Sequence, residues 1–191
     1  NYIRRTQGSD GGWPLYFGGE SNVSATVKAY FALKLAGDDI DAPHMVRARQ
    51  TILDRGGFPE CNVFTRFTLA MFGIISWRAV PVSRVEILLA PKWFPIHVDK
   101  VSYWTRTVTV PLLILMALRA KAVNPRNVGL EELNVNSRNG ANYRQKNPTG
   151  HWMGSLLVAL DTVVRPMEPL IPSRFTRKAI DRGLKFMEER S

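Results

Sequence analysis

The chain has 191 residues, 45% of them hydrophobic and 22% charged, enough for one domain with a substantial core. Its 26 Lys and Arg against 16 Asp and Glu leave a net charge of +10, but the basic residues are dispersed and no RNA- or DNA-binding signature accompanies them, so nucleic acid is set aside and anionic lipid is the better partner. One cysteine, Cys61, rules out an internal disulfide framework and fits a reducing compartment, and the longest apolar run, Val108 to Leu118, is about half of the ~20 residues that span a bilayer.

In chain order, the first feature is Gln7–Gly8–Ser9–Asp10–Gly11–Gly12–Trp13, preceded by Tyr2–Ile3 and a basic pair. A glutamine amide near a helix end can bond the backbone groups left unpaired there. Gly11 and Gly12 allow a tight turn, after which the Trp13 indole is expected to pack back over the amide. Ser24 to Leu35 reads as a helix capped by Ser24 and stopped by Gly37. A second helix runs from about Ala42 to Arg55, with Asp41 as cap, Pro43 in the first turn and Gly56–Gly57 as the stop. A third, Asn62 to Phe72, ends at Gly73.

Val80 to Lys100 carries Pro81, Pro91 and Pro95 among large apolar residues and reads as an irregular excursion across helix ends. Tyr103 to Leu118 is expected to be helical, kinked or divided at Pro111, with apolar residues all round its axis and therefore buried. Asn134 to Gly150 reads as a mobile loop and Trp152 to Val164 as an apolar helix. After a proline-rich link, Ser173 caps a last helix with Ile180, Leu184 and Met187 on one face.

Little in the chain has the residue pattern of chemistry. Asp38–Asp39–Ile40–Asp41 lies between two helices and reads as turn and cap. His44, His97 and His151 have no paired spacing for a metal and read as surface or capping residues. No phosphate loop, Ser–His pair or nucleotide fingerprint is present. Trp77, Trp93 and Trp152 read as packing residues, although Trp93–Phe94–Pro95–Ile96 also suits an exposed apolar surface.

The Gln7–Trp13 stretch resembles the QW repeat of the squalene–hopene cyclase and oxidosqualene cyclase family. Val27–Lys34, Asn62–Arg66, Trp77–Pro81 and Ser102–Arg106 resemble further segments of that family, in its order and at about its spacing, and Arg182–Met187 resembles the opening of a second QW repeat. The resemblance implies an all-α fold, an α/α-barrel or toroid of helical hairpins, here incomplete: a single N-terminal-type domain over residues 1–191, cut within the second repeat. It implies squalene as substrate, protonation and closure to pentacyclic hopene or hopanol, and no metal or organic cofactor.

The family's acid lies in an Asp-x-Asp-Asp segment that this sequence lacks, so no catalytic residue is assigned and the 191 residues alone are expected to be inactive. Trp104 is implied to line the substrate cavity, with Phe64 a weaker candidate; an ordinary core role is the alternative for both. Gln7, Gly11 and Trp13 form the structural QW motif, and Arg66 is expected in a buried or interdomain salt bridge. Leu170, Ile171 and Phe175, beside Arg174, Arg177 and Lys178, read equally as a membrane-contact patch or as a proline-rich connector before a solvated helix. The implied partners are a membrane lipid surface at the cytoplasmic face of the bacterial inner membrane, the remaining catalytic domain and a second copy in a homodimer. The alternative is a non-catalytic lipid-binding or interaction module on the same helical scaffold.

Overall fold

Two asparagines start two of the helices. Asn22 is extended and its side chain accepts from the N–H groups of Ser24 and Ala25, opening α2, Val23–Ala36; Asn62 does the same for Thr65 and opens α4, Val63–Met71. The computed structural model describes residues 2–80, 84–93, 97–134 and 172–189. Those residues form six α-helices and several 3-10 turns, with no β-sheet among them beyond one isolated bridge, Pro14 to Ser21. The fold is all-α. The expected loop after Asn134, the helix over Trp152–Val164, His151, Phe94–Ile96, Leu170 and Ile171 lie outside the described residues.

The described residues fall into two compact units, 2–80 with 121–134 and 84–120 with 172–189. In the first, α1 (Tyr2–Arg5) is a single turn, and α2 packs against α3 (Pro43–Asp54) and α4. Val27, Tyr30, Phe31, Met45, Ile52 and Leu69 fill the core, with Leu130 and Leu133 from the later segment, and Phe31 meets Phe72 edge to face at 5.1 Å. Gly37 ends α2 in the left-handed region at φ 102°, its N–H returning to Lys34 while that of Asp38 reaches Leu33. Gly56 and Gly57 end α3 in the same way, as the sequence predicted.

In this unit the two expected caps were misplaced. Ser24 is buried inside α2, where its hydroxyl accepts from the N–H of Asn62 at 2.8 Å, so it joins two helices instead of starting one. Asp41 caps nothing: Ala42 holds the cap position and Pro43 follows at the first helical position, which has no N–H to satisfy.

In the second unit, the 3-10 turn Val85–Leu89, helix α5 (Tyr103–Ala117) and helix α6 (Ser173–Glu188) enclose a small core of Val85, Leu88, Val110, Leu113, Ile114 and Ala179. Pro111 sits inside α5 without dividing it. The helix is not buried all round, since Tyr103, Trp104 and Val108 are exposed while Val110, Leu113 and Ile114 face the core. Ser173 is the first residue of α6, not its cap; Pro172 stands before it with no side-chain bond. The inner face of α6 runs through Ala179 and Gly183, whose small size lets the helix approach; Ile180 and Met187 pack against the same core, whereas Leu184 is exposed.

Candidate functional site

The Gln7–Trp13 stretch folds into a clasp held by side-chain to backbone hydrogen bonds. The Gln7 amide Nε2 donates to the Gly11 and His44 carbonyls, both at 2.8 Å, tying the glycine turn to the first turn of α3. The Trp13 indole Nε1 donates at 2.8 Å to the Ile3 carbonyl of α1, so the indole, not the amide, reaches the preceding helix. Gly11 has φ +84°, and a Cβ there would lie 2.8 Å from the Arg47 carbonyl oxygen, so only glycine fits. Beneath the turn, Asp10 accepts from Ser21 and Arg55, and the Ser21 hydroxyl foremost holds its carboxyl below the ordinary range.

Two charge networks lie in the same unit as this clasp, and neither was foreseen. The Asp38 side chain is 2% exposed and accepts from Arg4 through both oxygens and from His44 Nε2 at 2.6 Å. The Arg4 guanidinium is the main reason its carboxyl titrates below the usual carboxylate range; burial opposes this and His44 adds to it. Asp39 makes the turn, accepting from the Asp41 N–H at 3.0 Å. In the second network, Glu132 Oε1 accepts from Tyr30 at 3.0 Å and Lys34 at 2.6 Å, which fastens residues 129–132 to α2. Burial first, then the Glu132 charge, pushes the Tyr30 hydroxyl pKa up. The one local signal was Tyr30 and Lys34 four apart on a helix face.

Trp104 stands on the first turn of α5, 77% exposed, and Phe64 on the first turn of α4, 57% exposed. They belong to different units. Phe175, on the first turn of α6, is exposed with the Arg174 guanidinium 5.2 Å from its ring centroid. Arg66 makes no salt bridge among the described residues; its guanidinium donates to the carbonyls of Cys61 at 2.9 Å and Ala79 at 3.5 Å, bracing two 3-10 turns. Trp77 packs edge to face on Phe67 at 5.5 Å, whereas Trp93 is exposed in the turn after Pro91. Burial pushes the Cys61 thiol up to about 12, leaving it protonated and unreactive at neutral pH.

The second unit holds a cleft of about 240 Å³, whose lining combines apolar Leu88, Val98, Val110 and Phe186 with both basic and acidic side chains, Arg182 and Lys185 against Asp99 and Glu189. Neither Trp104 nor Phe175 lines it. His97 is buried rather than a surface residue, and it does cap: its Nδ1 accepts from the Asp99 N–H at 3.0 Å, while Nε2 has no partner among the described residues. Among the described residues no three His, Cys, Asp or Glu side chains come together in a way that could hold a metal ion.

The squalene–hopene cyclase N-terminal domain model matches residues 1–191. The squalene–hopene cyclase of Bradyrhizobium diazoefficiens is 53% identical over 191 residues, covering all of this chain and 29% of that protein. A probable squalene–hopene cyclase of Sinorhizobium fredii is 49% identical over 191 residues, all of this chain and 30% of its own length. The squalene–hopene cyclase of Zymomonas mobilis is 49% identical over 189 residues, 99% of this chain and 28% of its own. The chain therefore spans under a third of these relatives. A family match over all 191 residues at this identity, with the clasp of Gln7, Gly11 and Trp13 closed in the structure, places this chain in the squalene–hopene cyclase family, as the N-terminal domain of that kind of enzyme.

Proposed function

We propose that this chain is the N-terminal part of an enzyme that protonates squalene and closes it to a pentacyclic triterpene, hopene or hopanol. The observation that carries the reading is the 53% identity to a squalene–hopene cyclase over all 191 residues. In it, the helices form part of an α/α toroid, and Trp104 and Phe64 form part of the wall of the substrate cavity. What supports the wall role is exposure: a large aromatic ring left facing outward from a helix whose other side is core is surface that gains by cover. Aromatic faces suit this chemistry because their π-electrons stabilise a passing carbocation without bonding to it. The acid belongs to the remainder of the polypeptide, since these 191 residues hold no Asp-x-Asp-Asp.

The membrane role belongs to the same reading, with Leu170, Ile171 and Phe175 as the contact patch at the cytoplasmic face of the inner membrane. The remaining catalytic domain, and a second copy in a homodimer, would be the protein partners. The test is W104A in the full-length enzyme, with products read by gas chromatography. We expect a loss of turnover of about tenfold or more, or a shift toward incompletely cyclised products. The melting temperature should move little, because substitutions at exposed sites usually cost within about 0.5 kcal/mol. Unchanged product and rate would remove Trp104 from the cavity wall.

A further inference from the structure

Between Trp13 and Asn22 the chain makes a tight excursion whose tip is Leu15–Tyr16–Phe17. Leu15 is 61% exposed, Tyr16 72%, and Phe17 fully exposed. Three adjacent large apolar side chains at the end of a loop are not the usual composition of a solvated turn. Nor is this loop slack. The Asn22 N–H donates to the Trp13 carbonyl at 2.9 Å, Pro14 bridges Ser21, and the Gly19 N–H returns to the Tyr16 carbonyl at 3.1 Å. Arg55 grips the base through the Ser21 carbonyl and hydroxyl and through Asp10. The Tyr16 ring lies over Gly19, where a Cβ would stand 2.8 Å from it. A clamped base presenting apolar side chains is the form of an anchor, whose partner gains area without having to order the loop.

We infer that the Leu15–Tyr16–Phe17 tip docks against an apolar surface of the same polypeptide outside these 191 residues. This rests on the reading that the chain is part of a longer cyclase. Two observations choose that occupant. Relatives that match the whole of this chain are so long that it covers 29% of one and 30% of another, so most of such a protein lies outside the residues described. The loop also has the wrong charge for an anionic bilayer. Its only ionisable groups besides Tyr16 are acidic or absent, Glu20 being the one charged residue between Trp13 and Asn22. Among the described residues the cation bonded to it is Arg55, which is engaged by Asp10 and Ser21. An interfacial membrane anchor is ordinarily flanked by Lys and Arg, whereas an interface core is depleted of charge and rich in aromatic side chains.

The test is thiol labelling of the F17C variant of the full-length enzyme, with the modified position read by mass spectrometry. Cys61 is buried and stays silent. We expect position 17 to label at least 100-fold more slowly than a free peptide thiol without vesicles, and fully after denaturation. Labelling at the free-thiol rate overturns the inference. Protection that appears only on adding phosphatidylglycerol vesicles also overturns it and gives the tip to a bilayer.

Should F17C fail to fold, hydrogen exchange on the unsubstituted enzyme decides. The Tyr16, Phe17 and Gly18 amides make no backbone hydrogen bond among the described residues, so slow exchange requires cover from elsewhere and fast exchange overturns the docking. Squalene turnover is assayed separately. A tip that labels freely in an active cyclase overturns the docking alone, and a protected tip in a protein that leaves squalene unchanged overturns the cyclase reading alone.

Discussion

At the residue scale, Trp13 and Asp38 show how much depends on the partner found in three dimensions. The Ile3 carbonyl accepts from the Trp13 indole and also from the Thr6 N–H and hydroxyl, so losing the indole does not strand it. W13F keeps an aromatic ring in the core and deletes one net hydrogen bond, so its cost should be about 1 kcal/mol in a urea melt. A loss above about 3 kcal/mol would mean that the indole bond holds the whole clasp. Asp38 gives a pH prediction. Its folded pKa is depressed, chiefly by Arg4, so its contribution to stability is full above the unfolded value of about 3.9 and is lost as pH falls through the folded one. The stability difference between the native chain and D38N should therefore shrink as pH falls below about 4. A difference unchanged at pH 3 would show that the pair does not form. The glycine turn and Trp13 were legible in sequence because φ > 0 and a large indole are properties of single residues. Which carbonyl the indole reaches, and that Asp38 rather than Asp41 matters, depends on Arg4 and His44 arriving from elsewhere in the chain.

At the element scale, helix ends were read well where a glycine stops them and poorly where a polar side chain starts them. Gly37, Gly56 and Gly73 all take positive φ, as stops should. For starts, Asn22, Ser24, Asp41 and Ser173 are each good caps in isolation, and only tertiary packing selects among them. Ser24 lost the role to Asn22 because its hydroxyl is bound by the N–H of Asn62. The apolar face of α6 was read in part: Ile180 and Met187 pack against the core, but Leu184 is exposed and the close approach is made by Ala179 and Gly183. A Cβ at Gly183 would lie 2.9 Å from Ile114 Cδ1 and 3.0 Å from Leu88 Cδ1, both ends of side chains that can shift. G183A should thus be near neutral, the crowding offset by up to about 1 kcal/mol of helix propensity. G183L has no such escape and should cost about 1–3 kcal/mol by overpacking. A melting temperature for G183L equal to that of the native chain would mean that α6 is not seated on Ile114 and Leu88.

At the scale of the whole molecule, charge is the property that sequence states most plainly and structure sharpens. The net charge is +10, and α6 carries Arg174, Arg177, Lys178, Arg182 and Lys185 on its exposed side against Asp181 and Glu188. Among the described residues no helix is long and apolar enough to cross a membrane. Basic residues near an anionic leaflet contribute about 1 kcal/mol each, within a Debye length of about 8 Å at physiological salt. The full-length protein should therefore co-sediment with phosphatidylglycerol vesicles more strongly than with phosphatidylcholine ones. Raising salt to about 0.5 M should weaken only the electrostatic share. Reversing Arg174, Arg177 and Lys178 to Glu should abolish the preference for anionic lipid while leaving the salt-resistant binding that apolar side chains provide. If the reversed protein keeps its preference, α6 does not face the bilayer and the basic surface serves another contact. The Leu15–Tyr16–Phe17 tip gives an internal control: its substitution should leave vesicle binding unchanged, because its own segment brings no cation to a headgroup.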